Sequence, residues 1–215
     1  VWEQTPKISI VVPVYRTPEV FLREMIDSVQ KQTYTEWELC IADASPTGEK
    51  LREELGKLRG KKKKESNMAV PEKETELTAL IREYQIRDGR IRYQILKENR
   101  SIAENSNAAL EMATGDFVCL LDHDDLLEPD ALYEVADKIV QDDRVDVIYT
   151  DEDKINSKGT KHLTPNMKPD FNLDLLRSNN YICHLFVVRR ILVEKVGGFR
   201  KEFDGAQDYD FIFRC

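Results

Sequence analysis

This chain of 215 residues lacks most of the features that announce a membrane protein, a nucleic-acid binder or a disulfide scaffold. No apolar run approaches the ~20 residues needed to span a bilayer, and no signal-peptide pattern opens the sequence. Basic residues are outnumbered, 32 Lys and Arg against 40 Asp and Glu, and the net charge of −8 argues against a nucleic-acid partner, which needs clustered cations on phosphates. The one basic cluster, Lys61–Lys64, lies in a polar stretch and reads as a solvated helix end or loop. Four cysteines (Cys40, Cys119, Cys183, Cys215) stand far apart with no C-x-x-C pair, so reduced, buried thiols of a cytosolic protein are expected. Three histidines (His123, His162, His184) have no partner at zinc-ligand spacing. Glycine is scarce, and neither G-x-G-x-x-G nor G-x-x-x-x-G-K-[ST] occurs, so a glycine loop cradling phosphates is excluded.

What is present is an alternation of strands and helices. The β-branched run "KISIVVPVY" (7–15) fits a strand buried on both faces. "TPEVFLREMIDSVQKQ" follows as a helix, with Thr17 expected as N-cap, Pro18 at the first helical position, and Leu22, Met25, Ile26 and Val29 at helical spacing. "WELCIAD" (37–43) reads as a second strand, ending on Asp43. Residues 46–88 are charged and read as two exposed helices joined by a mobile linker. "RIRYQIL" (90–96) is a third strand. "SIAENSNAALEMATG" (101–115) is a helix opened by the capping box of Ser101 and Glu104 and stopped by Gly115. "DFVCLL" (116–121) is a fourth strand, "EPDALYEVADKIVQDD" a helix with Leu132, Val135, Ala136, Ile139 and Val140 on one face, and "VDVIYT" (145–150) a fifth strand. An irregular stretch, a strand "YICHLFVVRR" (181–190) and a short helix closed by Gly197-Gly198 complete the pattern.

Such alternation predicts an α/β fold with a mostly parallel central sheet flanked by helices, whose ligands bind beyond the carboxyl ends of the strands. Those ends carry Pro13-Val14-Tyr15, Asp43, Asp122-His123-Asp124-Asp125 and Asp151-Glu152-Asp153. Carboxylates so close repel one another unless a cation joins them. Without a glycine loop, phosphates at this edge need a hard divalent cation, Mg²⁺ or Mn²⁺, held by one or two acids. An acidic loop that merely caps the next helix is the plain alternative. EF-hand loops are excluded, since "DHDDLLEPD" lacks the central glycine and Ile155 fills a ligand position in "DEDKINSKG".

The segments "ISIVVPVY", "ELCIADAS", "NRSIAENSNAALEMATGDFVCLLDHDDLLEPDAL" and "GGFRKEFDGAQDYDFIFR" resemble, in order and spacing, the family 2 glycosyltransferases of GT-A fold. "YTDEDKI", "KPDFNLDLL" and "NNYICHLFVVRR" are similar to the branch that builds O-antigen, rhamnan and other bacterial surface polysaccharides. The resemblance runs from about residue 7 to the end, apart from the insertion at 50–88. It implies one GT-A domain over 1–215, with a nucleotide-binding half (7–121, carrying the helical insertion of about 46–88) and a metal and acceptor half (122–215) cut short at its C-terminus. It implies that Pro13, Val14, Tyr15 and Asp43 hold the base of a nucleoside-diphosphate sugar, UDP- or dTDP-linked. Packing for Tyr15 and a turn or cap for Asp43 are the structural alternatives.

In the D-x-D motif, Asp122-His123-Asp124, Asp122 would meet the ribose or the metal, Asp124 would ligate Mn²⁺ or Mg²⁺, and His123 would fill the variable position; Asp125 would cap or orient. The general base implied is Asp208, with Gln207 where the commonest form has Glu, and with Asp210 as its nearest rival. Asp151 and Asp153 would face sugar or acceptor or form a solvated turn, and His184 would be a core histidine or a diphosphate or metal contact. The activity implied is metal-dependent inverting transfer to a hydroxyl of a bacterial cell-surface glycan. Its acceptor would be lipid-linked, and its location cytoplasmic, peripheral at the inner face of the membrane. A non-catalytic nucleotide-sugar-binding or scaffold domain of a larger synthase is the alternative of a different class. A sugar nucleotidyltransferase would want a basic, glycine-rich loop that "VPVYRTPEV" lacks.

Overall fold

The computed structural model describes residues 2, 5–45, 76–156 and 159–215. Its main sheet has six strands, β1 (Ile8–Val14), β2 (Trp37–Asp43), β3 (Ile91–Ile95), β4 (Phe117–Leu120), β5 (Val147–Tyr149) and β8 (Phe186–Arg189), in the order β3-β2-β1-β4-β8-β5. A separate antiparallel hairpin joins β6 (Glu152–Ile155) to β7 (His162–Asn166). The central strands β1 and β2 are buried almost throughout, as β-branched runs covered on both faces should be. β1 pairs in parallel with β2 (Ile8 opposite Trp37, Val14 opposite Asp43) and with β4 (Ile8 opposite Phe117).

Two apolar layers enclose the sheet. On one face Ile8, Ile10, Val12 and Val14 pack with α1 (Glu19–Gln30), α2 (Glu76–Arg87) and α4 (Ala131–Gln141) through residues such as Leu22, Met25, Ile81, Leu132 and Val135. On the other, Val11, Cys40 and Val118 meet α3 (Ile102–Glu111), α6 (Arg190–Val196) and α7 (Gln207–Arg214) through Ala103, Val193, Phe211 and Ile212. A short α5 (Leu173–Ser178) lies between β7 and β8.

β5 is not a neighbour of β4 in the sheet. β8 enters between β4 and β5, antiparallel to both, because Phe186, Val187 and Val188 are fully buried whereas the residues of β5 are only half-buried, which suits an edge. Only Phe186–Arg189 of the run 181–190 forms ladder; Ile182 and Leu185 are buried, so their apolar character reports the core and not a strand. β6 begins at Glu152 within "DEDK" and forms a hairpin with β7, which lies in the stretch read as irregular.

Thr17 does not cap α1. Pro18 occupies that position, its carbonyl receives the amides of Phe21 and Leu22, and the Thr17 hydroxyl is buried without a partner. The second helix of the charged insertion is not an exposed one: α2 buries Thr78, Leu80, Ile81 and Tyr84, and the Tyr84 hydroxyl donates to Asp27 at 2.6 Å. The first helix and the linker expected there fall on residues 46–75, outside those described. Val140 lies on the exposed side of α4.

Gly115 does not stop α3, which ends at Glu111. It is glycine for another reason: a Cβ there would stand 2.6 Å from the Lys7 carbonyl and 2.7 Å from Ser9 Oγ. Nearby, at the N-terminal end of the strands, buried Glu38 accepts from Lys7 Nζ (2.7 Å), Ser9 Oγ (2.6 Å) and the Thr114 amide (2.6 Å). Burial alone would raise its carboxyl, but these bonds outweigh burial and hold it at about 2.

Candidate functional site

The opposite edge, at the carboxyl ends of β1, β2 and β4, gathers the polar residues. Because β8 runs against its neighbours, its N-terminal end meets the carboxyl end of β4, with Phe186 opposite Leu120. The residue two before β8, His184, therefore arrives beside the residue two after Leu120. His184 Nε2 lies 3.4 Å from Asp122 Oδ2. Asp122, Asp125 and His184 each offer a ligand atom within 4.8 Å of the others. Asp125 enters through a tight turn in which its amide donates to the Asp122 carbonyl at 3.2 Å.

Burial raises the Asp125 carboxyl, and the neighbouring charges of Asp122, Asp124 and Glu152 add to the effect while His184 opposes it. The adjacent Cys183 side chain, with Asp122 and Asp125, raises the His184 imidazole to about 9 against the burial that lowers it. The His184 Nδ1 is buried and has no hydrogen-bond partner. Two carboxylates with the imidazole Nε2 beside them form a donor set for a divalent cation such as Mn²⁺.

Asp124 stands outside this group. Its side chain is 55% exposed and its nearest ionic neighbour is His123, whose Nδ1 lies at 3.6 Å. Asp208, in the first turn of α7, accepts from Asn180 Nδ2 at 2.9 Å and lies 3.9 Å from the Cys183 thiol, one residue from His184. Its rival Asp210 is engaged by Arg200 and Arg214, which hold its carboxyl below the usual range. Gln207 accepts the Gly205 amide at 2.9 Å, within the turn that opens α7.

The expected base-binding residues are unequally available. Tyr15 is exposed under the Arg16 guanidinium, 5.3 Å from its ring centre, and Pro13 is half-buried. Val14 is buried, with its carbonyl accepting the Ala44 amide. Asp43 is 1% exposed, and its oxygens accept from the Ser45 amide (2.8 Å) and the Tyr93 hydroxyl (3.0 Å). Asp151 and Asp153 serve the hairpin: Asp151 accepts the Lys168 amide at 2.7 Å, and Asp153 lies 2.7 Å from His162 Nδ1.

Sequence reasoning missed Asn180, Tyr93 and Lys168. Lys168 and Asn180 lie inside segments that carry the family resemblance, but each of the three acquires its role from a contact with another part of the chain.

The profile described as glycosyl transferase family 2 matches residues 9–65 and 73–197. The chain is 42% identical over 210 residues to the uncharacterized protein y4gI of Sinorhizobium fredii, covering 98% of this chain and 20% of that protein. It is 35% identical over 209 residues to the O-antigen biosynthesis protein RfbC of Myxococcus xanthus, covering 97% of this chain and 14% of RfbC. The chain thus spans a fifth or less of these two relatives. Among solved structures, TarS 1–349 of S. aureus shares the fold with a TM-score of 0.67 at 20% identity, over 97% of this chain and 54% of that one. TarS has also been crystallised with UDP-GlcNAc. The mannosyltransferase PcManGT of Pyrobaculum calidifontis, in complex with GDP-Man and Mn²⁺, has a TM-score of 0.57 at 19% identity, over 98% of this chain and 54% of that one.

Proposed function

The chain belongs to glycosyl transferase family 2, and from that premise we propose that it is the catalytic GT-A domain of an inverting, cation-dependent enzyme. It moves a sugar from a nucleoside diphosphate, UDP- or dTDP-linked, to a hydroxyl of a bacterial cell-surface glycan. The observation that carries the reading is the meeting of Asp122, Asp125 and His184 at the strand ends, one residue from the neighbour of Asp208. The O-antigen biosynthesis role of RfbC supports a surface-glycan acceptor, and the UDP-GlcNAc complex of TarS supports a uridine donor.

Asp122, Asp125 and His184 would hold the divalent cation, which when bound supplies positive charge against the diphosphate as it leaves. Asp124, on the same loop, is the remaining acid of the D-x-D and the rival ligand. The chain's own chemistry is proton transfer and orientation. As the acceptor oxygen bonds to the anomeric carbon, the bond from that carbon to the diphosphate breaks, its electron pair leaves with the phosphate, and the hydroxyl proton passes to Asp208. Asn180 presents the Asp208 carboxylate by donating to one oxygen, leaving the other for the acceptor. Asp210 is committed to its arginines and is not the base. Attack opposite the leaving group inverts the centre without a second nucleophilic carboxylate. Tyr15 and the turn around Asp43 border the base.

On this reading the acceptor is a lipid-linked glycan met at the inner face of the cell membrane. No helix among the described residues is long and apolar enough to cross that membrane.

A thermal-shift panel of UDP-, dTDP-, GDP- and CDP-sugars, each with Mn²⁺ and with EDTA, tests the reading on wild type and Asp122→Asn. Ligand that binds only the folded state must raise the melting temperature. One nucleotide is expected to shift wild type only when Mn²⁺ is present and to leave Asp122→Asn unmoved. A cooperative melt indifferent to all of them would overturn the donor site and favour a scaffold domain.

A further inference from the structure

We infer that Lys168 is a positioning residue that fixes His184 at the cation site, an inference that rests on the ligand reading above. The Lys168 side chain is 1% exposed. Its ammonium donates to the Ile182 carbonyl at 2.6 Å, to the His184 carbonyl, and to Glu152 Oε2 at 3.2 Å. An ammonium has three protons, and these acceptors take all three. Two of them belong to one short segment, residues 182 and 184, which precedes β8 and lies outside the sheet ladder.

Ile182 and Leu185 of that segment are buried in the core, the Cys183 amide donates to Asn180 Oδ1 at 3.3 Å, and Leu185 exchanges bonds with Thr150, its amide donating to Oγ1 and its carbonyl accepting the Thr150 amide, each at 3.3 Å; Cys183 itself has a positive φ of 29°. A non-glycine residue in such a conformation persists only where its surroundings hold it. The ammonium reaches the carbonyls on both sides of Cys183 from behind. It thereby sets the direction in which the His184 ring leaves the backbone, toward Asp122 and Asp125. Glu152 balances the buried charge and ties the same lysine to the β6–β7 hairpin. Lys168 touches neither substrate nor cation; it acts through His184.

Mn²⁺ binding, followed by calorimetry and by the Mn²⁺ electron paramagnetic resonance signal well below each melting temperature, tests the inference on wild type, Asp125→Asn and Lys168→Met. Wild type is expected to bind, Asp125→Asn to bind about tenfold more weakly or worse, and a cooperatively melting Lys168→Met to bind about tenfold more weakly. A residue with only a structural role would lower the melting temperature and leave Mn²⁺ affinity untouched, and that result would overturn the inference while the ligand reading stands. Absence of Mn²⁺ binding in wild type overturns the ligand reading itself, and the role of Lys168 with it. Should Lys168→Met fail to melt cooperatively, wild type carries the test. The ¹⁵N resonance of the Lys168 ammonium is expected to move as diamagnetic Mg²⁺ saturates the site, and an unmoved resonance at saturation would overturn the inference.

Discussion

Asp208 and Asp210 stand two residues apart in the first turn of α7, yet their surroundings are opposite in kind. Asp208 receives a neutral amide from Asn180 and faces the Cys183 thiol. Asp210 is 7% exposed between the guanidinium groups of Arg200 and Arg214, the second of which also donates to the Val196 and Gly198 carbonyls. The second carboxylate pins the start of α7 to the loop before it through two guanidinium groups, a tie that the first does not share. Asp208→Asn is therefore expected to cut sugar transfer, or donor hydrolysis, by about a hundredfold or more, with an unchanged melting temperature. Asp210→Asn is expected to destabilise by about 2 kcal/mol or more, because it leaves two arginines without their carboxylate. Paired activity assays and urea melts separate the two. Loss of activity in a stable Asp210→Asn protein with a fully active Asp208→Asn would exchange their roles.

The loop after β4 offers two adjacent acids, of which only Asp125 gathers with Asp122 and His184. Asp125→Asn is expected to weaken Mn²⁺ binding about tenfold or more, and Asp124→Asn by no more than about threefold. Titration calorimetry with Mn²⁺ decides it. The reverse order would return the ligand to the second acid of the D-x-D.

Acid sensitivity should trace to the other end of the sheet. Glu38 is held at about 2 in the folded chain, below its ordinary value of 4.5. A carboxylate depressed on folding stabilises the native state fully above its unfolded value, and that contribution is lost as pH falls from 4.5 toward 2. Urea melts are expected to show a loss on the order of 3 kcal/mol across that window, part of which Glu38→Gln abolishes while being less stable at neutral pH. An acid limb of the same steepness in Glu38→Gln would assign the effect to other carboxylates.

Two glycines give an internal control on packing. Gly115→Ala drives a methyl against the Lys7 backbone and the Ser9 hydroxyl, neither of which can retreat from the sheet, and is expected to cost about 2 kcal/mol. Gly89→Ala meets nothing within 4 Å and is expected to stay within about 0.5 kcal/mol of wild type. Equal melting temperatures for the two variants would contradict the close approach at Gly115.

The sequence spoke clearly where one local signal decided the outcome. Leu22, Met25, Ile26 and Val29 line the buried face of α1, and the Ser101 hydroxyl caps α3 by accepting the Glu104 amide at 3.1 Å. β1 and β2 are buried along their β-branched runs, and the acids follow β4. It spoke poorly where a distant segment decided. Alternation along a strand says nothing about the direction in which it enters a sheet, so the wedge of β8 between β4 and β5 was not legible. Strand alternation likewise did not give the approach of His184 to Asp122, although the family resemblance offered His184 as a diphosphate or metal contact. Local charge density drew attention to Asp151 and Asp153, which the hairpin uses, while Lys168, the first residue of "KPDFNLDLL", gave no local sign of its acceptors on Glu152, Ile182 and His184. Thr17 and Gly115 carried correct composition cues for the wrong cause: a proline took the capping position, and a neighbouring backbone required the glycine.

The wedge of β8 also links folding to competence. Among the described residues β5 pairs in the sheet with β8 alone, and His184 meets Asp122 where β8 docks against β4. Pairing across so long a stretch of chain is slow compared with local structure. His184 thus stands beside Asp122 and Asp125 only in a chain whose β8 has docked, and a chain without that pairing exposes the carboxylates with no imidazole to join them.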